Sequence, residues 1–500
     1  MPWRTAAVPV YPVVLAFTFV FAAFLDADVN LHAAVQPILL VVVVTVLGTV
    51  VLSLALGPLR GGLVSGVLVL LARSGNLQHA ALALLLVALI AAAFVLVRRI
   101  RPTSQAVRRP TSLLNTLSAI LLVTTVVTAA ANGSLGRVDL RQGAPVSALD
   151  EGVPGADAPP DIYIVLLDGY PRHDTLARLF DDDNRDFLDG LEGMGFDVAE
   201  LASSNYMYTG PTLASMHHMQ YVHDITDLGE VNVPFGVSLR AAINDNPVWT
   251  TLRERGYDVV AVKPPWEHEA MRSADVFCGE SVNDFELFLV RTTLAGAALQ
   301  AVNPTLDADQ HRASVEEALD CFDQLTAATS SPKLVFVHVG GPHLPIAFDE
   351  SGAPADPDLF GHTRQDVDVS DEAFASGYVA QLQYLNTRVL ASLDELVARR
   401  DEPVVLVMSD HGSESRLNWA DASESDLAER LSILFAARTP GHESLFPCDM
   451  TPISIFPTLL STYFGDDIAV PPARHFASDV DDKLDFEEVP DPDGSTACGP

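Results

Sequence analysis

The first 132 residues consist largely of apolar stretches separated by short polar segments. These stretches occupy residues 8–25, 38–56, 61–72, 80–97 and 113–131. Most of them approach the roughly 20 residues that a helix needs to cross a bilayer, and the third is short. The pattern predicts a helical membrane domain over residues 1–132 with about five transmembrane helices. A cleaved signal peptide is the alternative for the first stretch, but four further stretches follow it.

Arginines indicate which helix ends face the cytoplasm, because short cytoplasmic loops collect Arg and Lys. Arg4 precedes the first stretch, Arg60 follows the second, and residues 98–109 before the last stretch hold five arginines. These positions share one side of the membrane only if residues 61–72 also cross. The amino terminus is then predicted to be cytoplasmic, and everything after residue 132 is predicted to be extracytoplasmic.

From residue 161 the pattern changes to short apolar runs that alternate with amphipathic segments. Runs of strand length lie at 161–167, 257–262, 333–339, 403–409 and 431–437, and helical patterns lie at 184–194, 238–255, 314–328 and 374–399. This alternation predicts an exported α/β domain over residues 161–472 with a mostly parallel central sheet. Residues 133–160, rich in Gly, Ala, Pro and Asp, predict a linker. Residues 473–500 predict a mobile acidic tail.

The net charge and the positions of the cysteines limit the partners and the compartment that the chain can have. The net charge of −35 argues against a nucleic-acid partner, because neutralising phosphates requires a basic surface. All four cysteines follow residue 132, on the side predicted to be oxidising. Three disulfide pairings are possible, and proximity in the sequence favours Cys278 with Cys321 and Cys448 with Cys498.

Two of the predicted strands end in polar residues. Asp168 follows the run 161–167, and Asp410-His411-Gly412 follows the run 403–409. Open α/β sheets place their ligand sites at the carboxyl ends of parallel strands. Two carboxylates and one imidazole predict a divalent metal site, and this donor set suits Mn, Zn or Mg.

A threonine is the third element of the candidate site. Thr209 precedes Gly210 and Pro211, and proline is favoured in the first turn of a helix, so Thr209 is predicted at a helix amino terminus. The free N–H groups there attract a phosphate-like anion. A hydroxyl at that place can attack the anion once a metal lowers its pKa. The alternative is that Thr209 only caps the helix.

In their order and approximate spacing, four segments resemble the alkaline phosphatase superfamily: Asp161-to-Gly169, Asn205-to-Ser215, Gly340-Gly-Pro-His343 and Ser409-Asp-His-Gly412. More narrowly, five predicted helices before an exported domain resemble its sulfatase-like branch of membrane-anchored lipoteichoic acid synthases and phosphoethanolamine transferases. The resemblance implies that the metal ligands are Asp168, Thr209, Asp410 and His411. It also implies that Thr209 is the nucleophile and that His343 binds the phosphate of the substrate or joins a second metal.

The implied activity is transfer or hydrolysis of a lipid-linked or cell-envelope phosphate ester. The acceptor is an envelope alcohol or water. Sulfatases carry Cys/Ser-x-Pro-x-Arg around their nucleophile, and this motif does not surround Thr209, so a sulfate ester is the less favoured substrate. A non-catalytic membrane protein that binds envelope polymers is the alternative of a different class.

Several assignments within this resemblance have alternatives. Thr212 or Ser215 could replace Thr209 as the nucleophile. One ion is favoured over two, because Asn386 lies where some relatives carry an acid. His338 is interpreted mainly as a core histidine and secondarily as a neighbour of the metal. His217, His218, Lys263 and Trp266 are interpreted mainly as packing or loop residues.

Overall fold

The structure of the chain is a computed structural model. It describes residues 8–26, 29, 31–72, 104–131, 143–149, 159–225, 235–282, 284–291, 294–328, 332–419, 421–479, 485–494 and 498. The chain divides into two compact units. The amino-terminal unit comprises Met1–Leu140 with Val282–Leu306, and the α/β unit comprises Arg141–Ser281 with Asp307–Pro500. The predicted span at 80–97 and most of the predicted linker lie outside the described residues.

The elements of both units follow in chain order. The helices are α1 (Tyr11–Asp26), α2 (Leu31–Leu56), α3 (Pro58–Ala72), α4 (Ser104–Ala131), α5 (His173–Phe180), α6 (Arg185–Gly193), α7 (Thr209–His218), α8 (Phe235–Asn244), α9 (Pro247–Glu254), α10 (Asp284–Arg291), α11 (Leu294–Val302), α12 (Leu306–Thr326), α13 (Asp371–Val397), α14 (Leu427–Leu431) and α15 (Ile455–Phe464). The strands are β1 (Ile162–Leu167), β2 (Asp197–Val198), β3 (Asp258–Val262), β4 (Val276–Cys278), β5 (Lys333–Val339), β6 (Val404–Met408), β7 (Phe435–Arg438), β8 (His475–Ala477) and β9 (Glu487–Val489).

Among the described residues of the amino-terminal unit, two helices are long and apolar enough to cross a membrane, over Ala33–Leu56 and Arg108–Ala131. Two shorter apolar helices lie at Tyr11–Leu25 and Pro58–Leu70. The long helices expose apolar side chains along their length; Leu40, Leu54 and Val123 are each at least 60% exposed. A continuous apolar surface of this kind is typical of a helix in lipid and not of the core helix of a soluble domain.

The start of α1 contacts two other helices of the amino-terminal unit. Asn115 of α4 contacts the start of α1: its Nδ2 donates to the carbonyl of Val8 at 3.0 Å, and its Oδ1 accepts from the amide of Tyr11 at 3.0 Å. A Cβ atom added to Gly62 of α3 would approach the side chain of Pro9 to 2.5 Å. The start of α1 therefore lies beside the amino-terminal parts of α3 and α4.

The segment 282–306, predicted as part of the exported domain, packs with the amino-terminal helices. Phe285 of α10 is buried in one cluster with Val20, Phe24 and Ala33. Its ring centroid lies 6.4 Å from that of Phe24. The residues of α10 are amphipathic enough for a helix, but nothing in their pattern identifies α1 and α2 as their partners.

The α/β unit is built on a seven-stranded sheet in the order β2-β7-β6-β1-β5-β3-β4. β6, β1, β5, β3 and β4 run parallel, whereas β7 is antiparallel to both of its neighbours, so the predicted mostly parallel sheet is confirmed. All residues of β1, β5 and β6 are buried. Apolar cores lie on both faces of the sheet, which explains why these strands are almost entirely apolar.

The predicted helix at 238–255 is instead two helices, α8 and α9. Pro247 begins the second, because proline cannot donate the hydrogen bond that would continue the first. Asn246 caps α9 by accepting a hydrogen bond from the amide of Trp249 at 2.8 Å.

The carboxyl-terminal residues, predicted to be mobile, are packed where the structure describes them. β8 and β9 form an antiparallel pair, and Phe476 is buried in the core. Asp493 forms an ion pair with Arg172 at 2.5 Å. The structure also confirms both favoured disulfides, Cys278 with Cys321 and Cys448 with Cys498. The acidic composition of this segment gave no indication that it packs on the domain, because only a few apolar residues, such as Phe476, make the contacts.

We expect the double variant Cys448→Ser/Cys498→Ser to lose stability. The disulfide closes a sequence separation of 50 residues, and loops of this size contribute about 2–4 kcal/mol to the free energy of unfolding. Urea unfolding of the full chain without reductant measures the change. Equal midpoints for the variant and the wild type would show that this disulfide does not hold the carboxyl-terminal segment.

Candidate functional site

The predicted carboxylates meet at the carboxyl ends of adjacent strands. β1 pairs with β6 in parallel, with Leu166 opposite Met408, so both strands deliver their next residues to one edge. Asp168 is 1% exposed and Asp410 is fully buried. The amide of Gly169 donates to Oδ1 of Asp410 at 3.2 Å, which links the two strand ends.

His411 presents one ring nitrogen to the carboxylates. Its Nδ1 lies 3.0 Å from the carbonyl oxygen of Gly412, which can only accept, so Nδ1 carries the proton in the neutral ring. Its Nε2 lies 3.3 Å from Oδ2 of Asp410 and 3.6 Å from Oδ1 of Asp168. Burial lowers the pKa of His411 to about 4, helped by the positive charge of Arg430. The ring is therefore neutral, with the lone pair of Nε2 directed at the carboxylates.

Thr209 is the first residue of α7, as predicted, and is buried. Its Oγ1 lies 3.3 Å from Nε2 of His411. The two alternative hydroxyls have other partners: that of Thr212 donates to the carbonyl of Tyr208 at 3.0 Å, and that of Ser215 donates to the carbonyl of Gln220 at 2.8 Å. Among these three hydroxyls, the contact with His411 belongs to Thr209.

His343 lies beside this group. Its Nδ1 donates to the carbonyl of Leu344 at 2.6 Å, and its ring centroid lies 5.6 Å from that of His411. The ring of Trp266 lies 5.0 Å from that of His343, so this loop residue borders the site.

The donor atoms fit a divalent cation. Oδ1 of Asp168 and Oδ2 of Asp410 are buried without a hydrogen-bond partner, and both face Nε2 of His411. Burial by itself would raise the pKa of Asp168, but the imidazole of His343 and the hydrogen bond with His338 lower it below its ordinary value. Buried carboxylate oxygens without donors are expected to be satisfied by a cation. Carboxylate oxygens and a neutral imidazole are ligands common to Zn and Mn.

The loop after Asp410 requires its glycine and is held by the next helix. A Cβ atom at Gly412 would lie 2.0 Å from the carbonyl oxygen of Glu429, so a larger residue cannot occupy this position. Glu429 of α14 accepts from the amides of Ser415 at 2.6 Å and Arg416 at 2.9 Å. These contacts fix the backbone that positions His411.

Three charged residues at or beside the site carried no sequence signal strong enough to identify them: Glu269, Glu414 and Arg430. Both carboxylate oxygens of Glu414 are buried without a hydrogen-bond partner, and Oε2 lies 4.0 Å from Nε2 of His343. Burial raises the pKa of Glu414 above its ordinary value. Its position three residues after His411 is the one signal that could have identified it.

Other residues considered from the sequence lie mainly where packing was predicted. His217 is buried against the rings of Trp249 and Phe336, and His218 contacts the carbonyl of Ala242. Lys263 donates to Ser281 at 3.1 Å.

Asn386 belongs to a separate polar network, in which its Nδ2 donates to Oδ1 of Asn184 at 2.9 Å. His338 is buried as predicted, but its Nε2 lies 3.2 Å from Oδ2 of Asp168, so it also contacts the site.

We expect Arg430→Gln to destabilise the α/β unit and weaken activity. Arg430 is 1% exposed, and its guanidinium donates to the carbonyls of Met207 at 2.7 Å and Gly412 at 3.0 Å, which joins the segments of Thr209 and His411. Losing two charged hydrogen bonds costs about 3 kcal/mol. Thermal unfolding measures the loss, with exposed Arg416→Gln as the matched control. Equal stability of the two variants would contradict this role.

A parallel sheet with buried carboxylates and an imidazole at its strand ends is the architecture of a metal-dependent α/β enzyme domain. Residues 202–444 match the family model described as Sulfatase. The chain therefore carries a sulfatase-family domain, and the predicted sulfatase-like enzyme class is confirmed. No curated protein matches the chain in sequence.

Solved structures similar to the chain include two Ept proteins and one protein described as a putative sulfatase. The periplasmic domain of EptC from Escherichia coli is 12% identical, with a TM-score of 0.42, over 68% of this chain and 94% of that one. The integral membrane protein lipooligosaccharide phosphoethanolamine transferase A from Neisseria meningitidis is 12% identical, with a TM-score of 0.41, over 91% and 94%. A putative sulfatase from Bacteroides thetaiotaomicron is 14% identical, with a TM-score of 0.41, over 65% and 74%.

Proposed function

We propose that the chain is a membrane-bound, metal-dependent phospho-group transferase or phosphodiesterase. It acts outside the membrane on lipid-linked or cell-envelope phosphate esters, with Thr209 as its nucleophile. One observation carries this proposal: the hydroxyl of Thr209, at the amino terminus of α7, lies 3.3 Å from the same nitrogen of His411 that faces Asp168 and Asp410.

The residues that would hold one divalent cation, Mn, Zn or Mg, are Asp168, Thr209, Asp410 and His411. When bound, the cation supplies a Lewis acid that lowers the pKa of the hydroxyl and offsets charge on the phosphoryl oxygens. Asp168 and Asp410 contribute two negative charges, and His411 is neutral, so the protein ligands match the charge of a divalent ion.

Thr209 and the backbone of α7 would perform the displacement. The first N–H groups of the helix bind the phosphoryl oxygens, which places phosphorus beside Oγ1 of Thr209. The Oγ1–P bond forms while the bond from phosphorus to the leaving oxygen breaks, and the threonine proton passes to that oxygen. In the second displacement the oxygen of an alcohol or of water bonds to phosphorus while the Oγ1–P bond breaks, and the proton of that alcohol or water returns to Oγ1 of Thr209. His343, at the border of the site, would bind a phosphoryl oxygen.

Phosphate is favoured over sulfate because of the nucleophile. The sulfatase nucleophile is formed from a Cys or Ser in Cys/Ser-x-Pro-x-Arg, whereas here the hydroxyl beside His411 belongs to Thr209 in Thr-Gly-Pro-Thr. An unmodified threonine suits formation of a phosphothreonine that is released in a second displacement.

The amino-terminal unit supports action at a membrane. The exposed apolar side chains of α2 and α4 favour contact with lipid, and the neighbouring starts of α1, α3 and α4 agree with the topology that the arginines predict. This topology makes the protein multi-pass and the α/β unit extracytoplasmic. A lipid donor and an envelope acceptor are then the partners within reach.

The test is turnover by the full chain purified in detergent. We expect consumption of phosphatidylethanolamine or phosphatidylglycerol, and hydrolysis of bis-p-nitrophenyl phosphate, only after addition of Zn²⁺ or Mn²⁺. Faster cleavage of p-nitrophenyl sulfate would favour a sulfatase instead. No turnover of any ester and no bound metal would favour the non-catalytic envelope-binding alternative.

A further inference from the structure

We propose that residues 282–306 form a membrane-surface segment whose exposed apolar side chains insert into the outer leaflet of the bilayer. The segment follows β4 in the sequence, yet it belongs to the amino-terminal unit. Its helices α10 and α11 have 8 and 9 residues, whereas a helix that crosses a bilayer needs roughly 20. These helices can therefore lie in the interface between lipid and water, but they cannot cross the membrane.

The exposed apolar side chains of the sequence after residue 132 are concentrated in this segment. Among the described residues of that sequence, the large apolar side chains that are exposed are Val282, Phe288, Leu299, Val302 and Val470. All but Val470 lie within residues 282–306, and Val302 is 79% exposed. Leu299 and Val302 are three residues apart on α11, so they share one face of this helix. An exposed apolar surface confined to one segment indicates that something other than water covers it.

The composition of the segment favours lipid as this cover. Residues 287–306 contain no Asp or Glu, although the chain has 65 of them, and Arg291 is the one charged residue in this range. Charged side chains are costly to place beside hydrocarbon. The segment therefore combines exposed apolar side chains with the low charge that contact with lipid requires.

The packing of α10 places this surface at one end of the membrane helices. Phe285 is buried with Phe24, near the end of α1, and with Ala33, near the start of α2. Arg4 and Arg60 lie at the opposite ends of these two helices, and arginines collect on the cytoplasmic side. The segment is then extracytoplasmic. Because α10 packs against α2, its surface adjoins the exposed apolar side chains that α2 presents to lipid.

Lipid contact at residues 282–306 would attach the exported sequence to the membrane at a second place, besides its chain connection to α4. A second copy of the chain is the other occupant that this apolar surface could take. The two occupants differ in whether oxygen dissolved in lipid reaches the surface, which a spin label can measure.

The experiment places one nitroxide label at a time on the full chain, through Phe288→Cys or Val302→Cys, in vesicles of phosphatidylglycerol and phosphatidylethanolamine. The four native cysteines are paired in disulfides, so the introduced thiol is the one that reacts. Power-saturation EPR compares collisions of the label with oxygen, which concentrates in lipid, and with NiEDDA, which stays in water. We expect the ratio of oxygen to NiEDDA collisions at both positions to lie well above that of Val470→Cys, towards that of Leu47→Cys.

Val470→Cys is the matched control for water, because Val470 is a 51% exposed valine of the α/β unit. Leu47→Cys, at a 59% exposed position of α2, is the control for lipid. A ratio at Phe288→Cys and Val302→Cys as low as that of Val470→Cys would overturn the inference. Few collisions with either reagent would show that a protein surface covers the segment, and would overturn it as well.

This measurement separates the inference from the proposed function, because it requires neither bound metal nor turnover. Absence of catalysis would leave the expected ratios unchanged. A ratio at Leu47→Cys as low as that of Val470→Cys would remove α2 from the membrane and overturn both the inference and the membrane part of the proposed function. Equal unfolding midpoints of the labelled variants and the wild type show that these substitutions at exposed positions preserve the fold.

Discussion

Replacing Thr209 with alanine is expected to reduce turnover of phosphate esters by about a thousandfold or more. Removing the nucleophile of a covalent mechanism leaves only binding and electrostatic stabilisation of the transition state. Thr209→Ser keeps the hydroxyl and should retain measurable activity. The measurement is kcat for bis-p-nitrophenyl phosphate with saturating Zn²⁺, because the loss should appear in kcat and not only in KM.

Thr212→Val is the matched control for this prediction. The hydroxyl of Thr212 bonds to backbone carbonyls and does not contact His411, so its removal should affect stability more than chemistry. If Thr212→Val lost as much activity as Thr209→Ala while remaining folded, the nucleophile would lie one helical turn further along α7. Activity of Thr209→Ala within tenfold of the wild type would exclude a covalent role for this residue.

Neutralising Asp410 is expected to give the second large effect. Asp410→Asn keeps the shape of the side chain but removes the negative charge that a divalent cation needs, so metal affinity and activity should each fall at least about a hundredfold. Without metal, the same substitution should not lower the stability of the folded domain. Because Asp410 and Asp168 are both buried and both face Nε2 of His411, removing one charge relieves repulsion, and the unfolding midpoint in EDTA should stay the same or rise.

The readout for Asp410→Asn is the rise in unfolding midpoint when Zn²⁺ is added. Binding to the folded state raises the wild-type midpoint, and the rise should nearly disappear in the variant. Exposed Asp189→Asn provides the control and should respond to Zn²⁺ as the wild type does. An undiminished response in Asp410→Asn would remove Asp410 from the ligand set.

Much of the sheet and part of the site could be predicted from the sequence. β1, β5 and β6 are buried on both faces, so they must be almost entirely apolar, and the polar residues that follow β1 and β6 are easy to recognise. Parallel neighbours bring these ends to one edge, which is why Asp168, Asp410 and His411 could be grouped. The helix start at Thr209 was marked by Pro211.

The remaining features depend on contacts between distant segments. Glu269 approaches Asp168 because a turn after β3 is fixed by Arg272, and no local pattern shows where that turn points. Arg430 resembles any arginine in a short helix until its carbonyl partners are known. The same limit applies to residues 282–306, whose apolar side chains could equally have covered the α/β unit.

The most direct test of the central claim is the intact mass of the full chain after incubation with phosphatidylethanolamine and Zn²⁺, without acceptor and quenched in acid. The account predicts an added mass equal to the phosphorus-containing head group, present only with metal, located on Thr209 and absent from Thr209→Ala. An adduct on another residue, or lipid turnover that persists in Thr209→Ala, would contradict it.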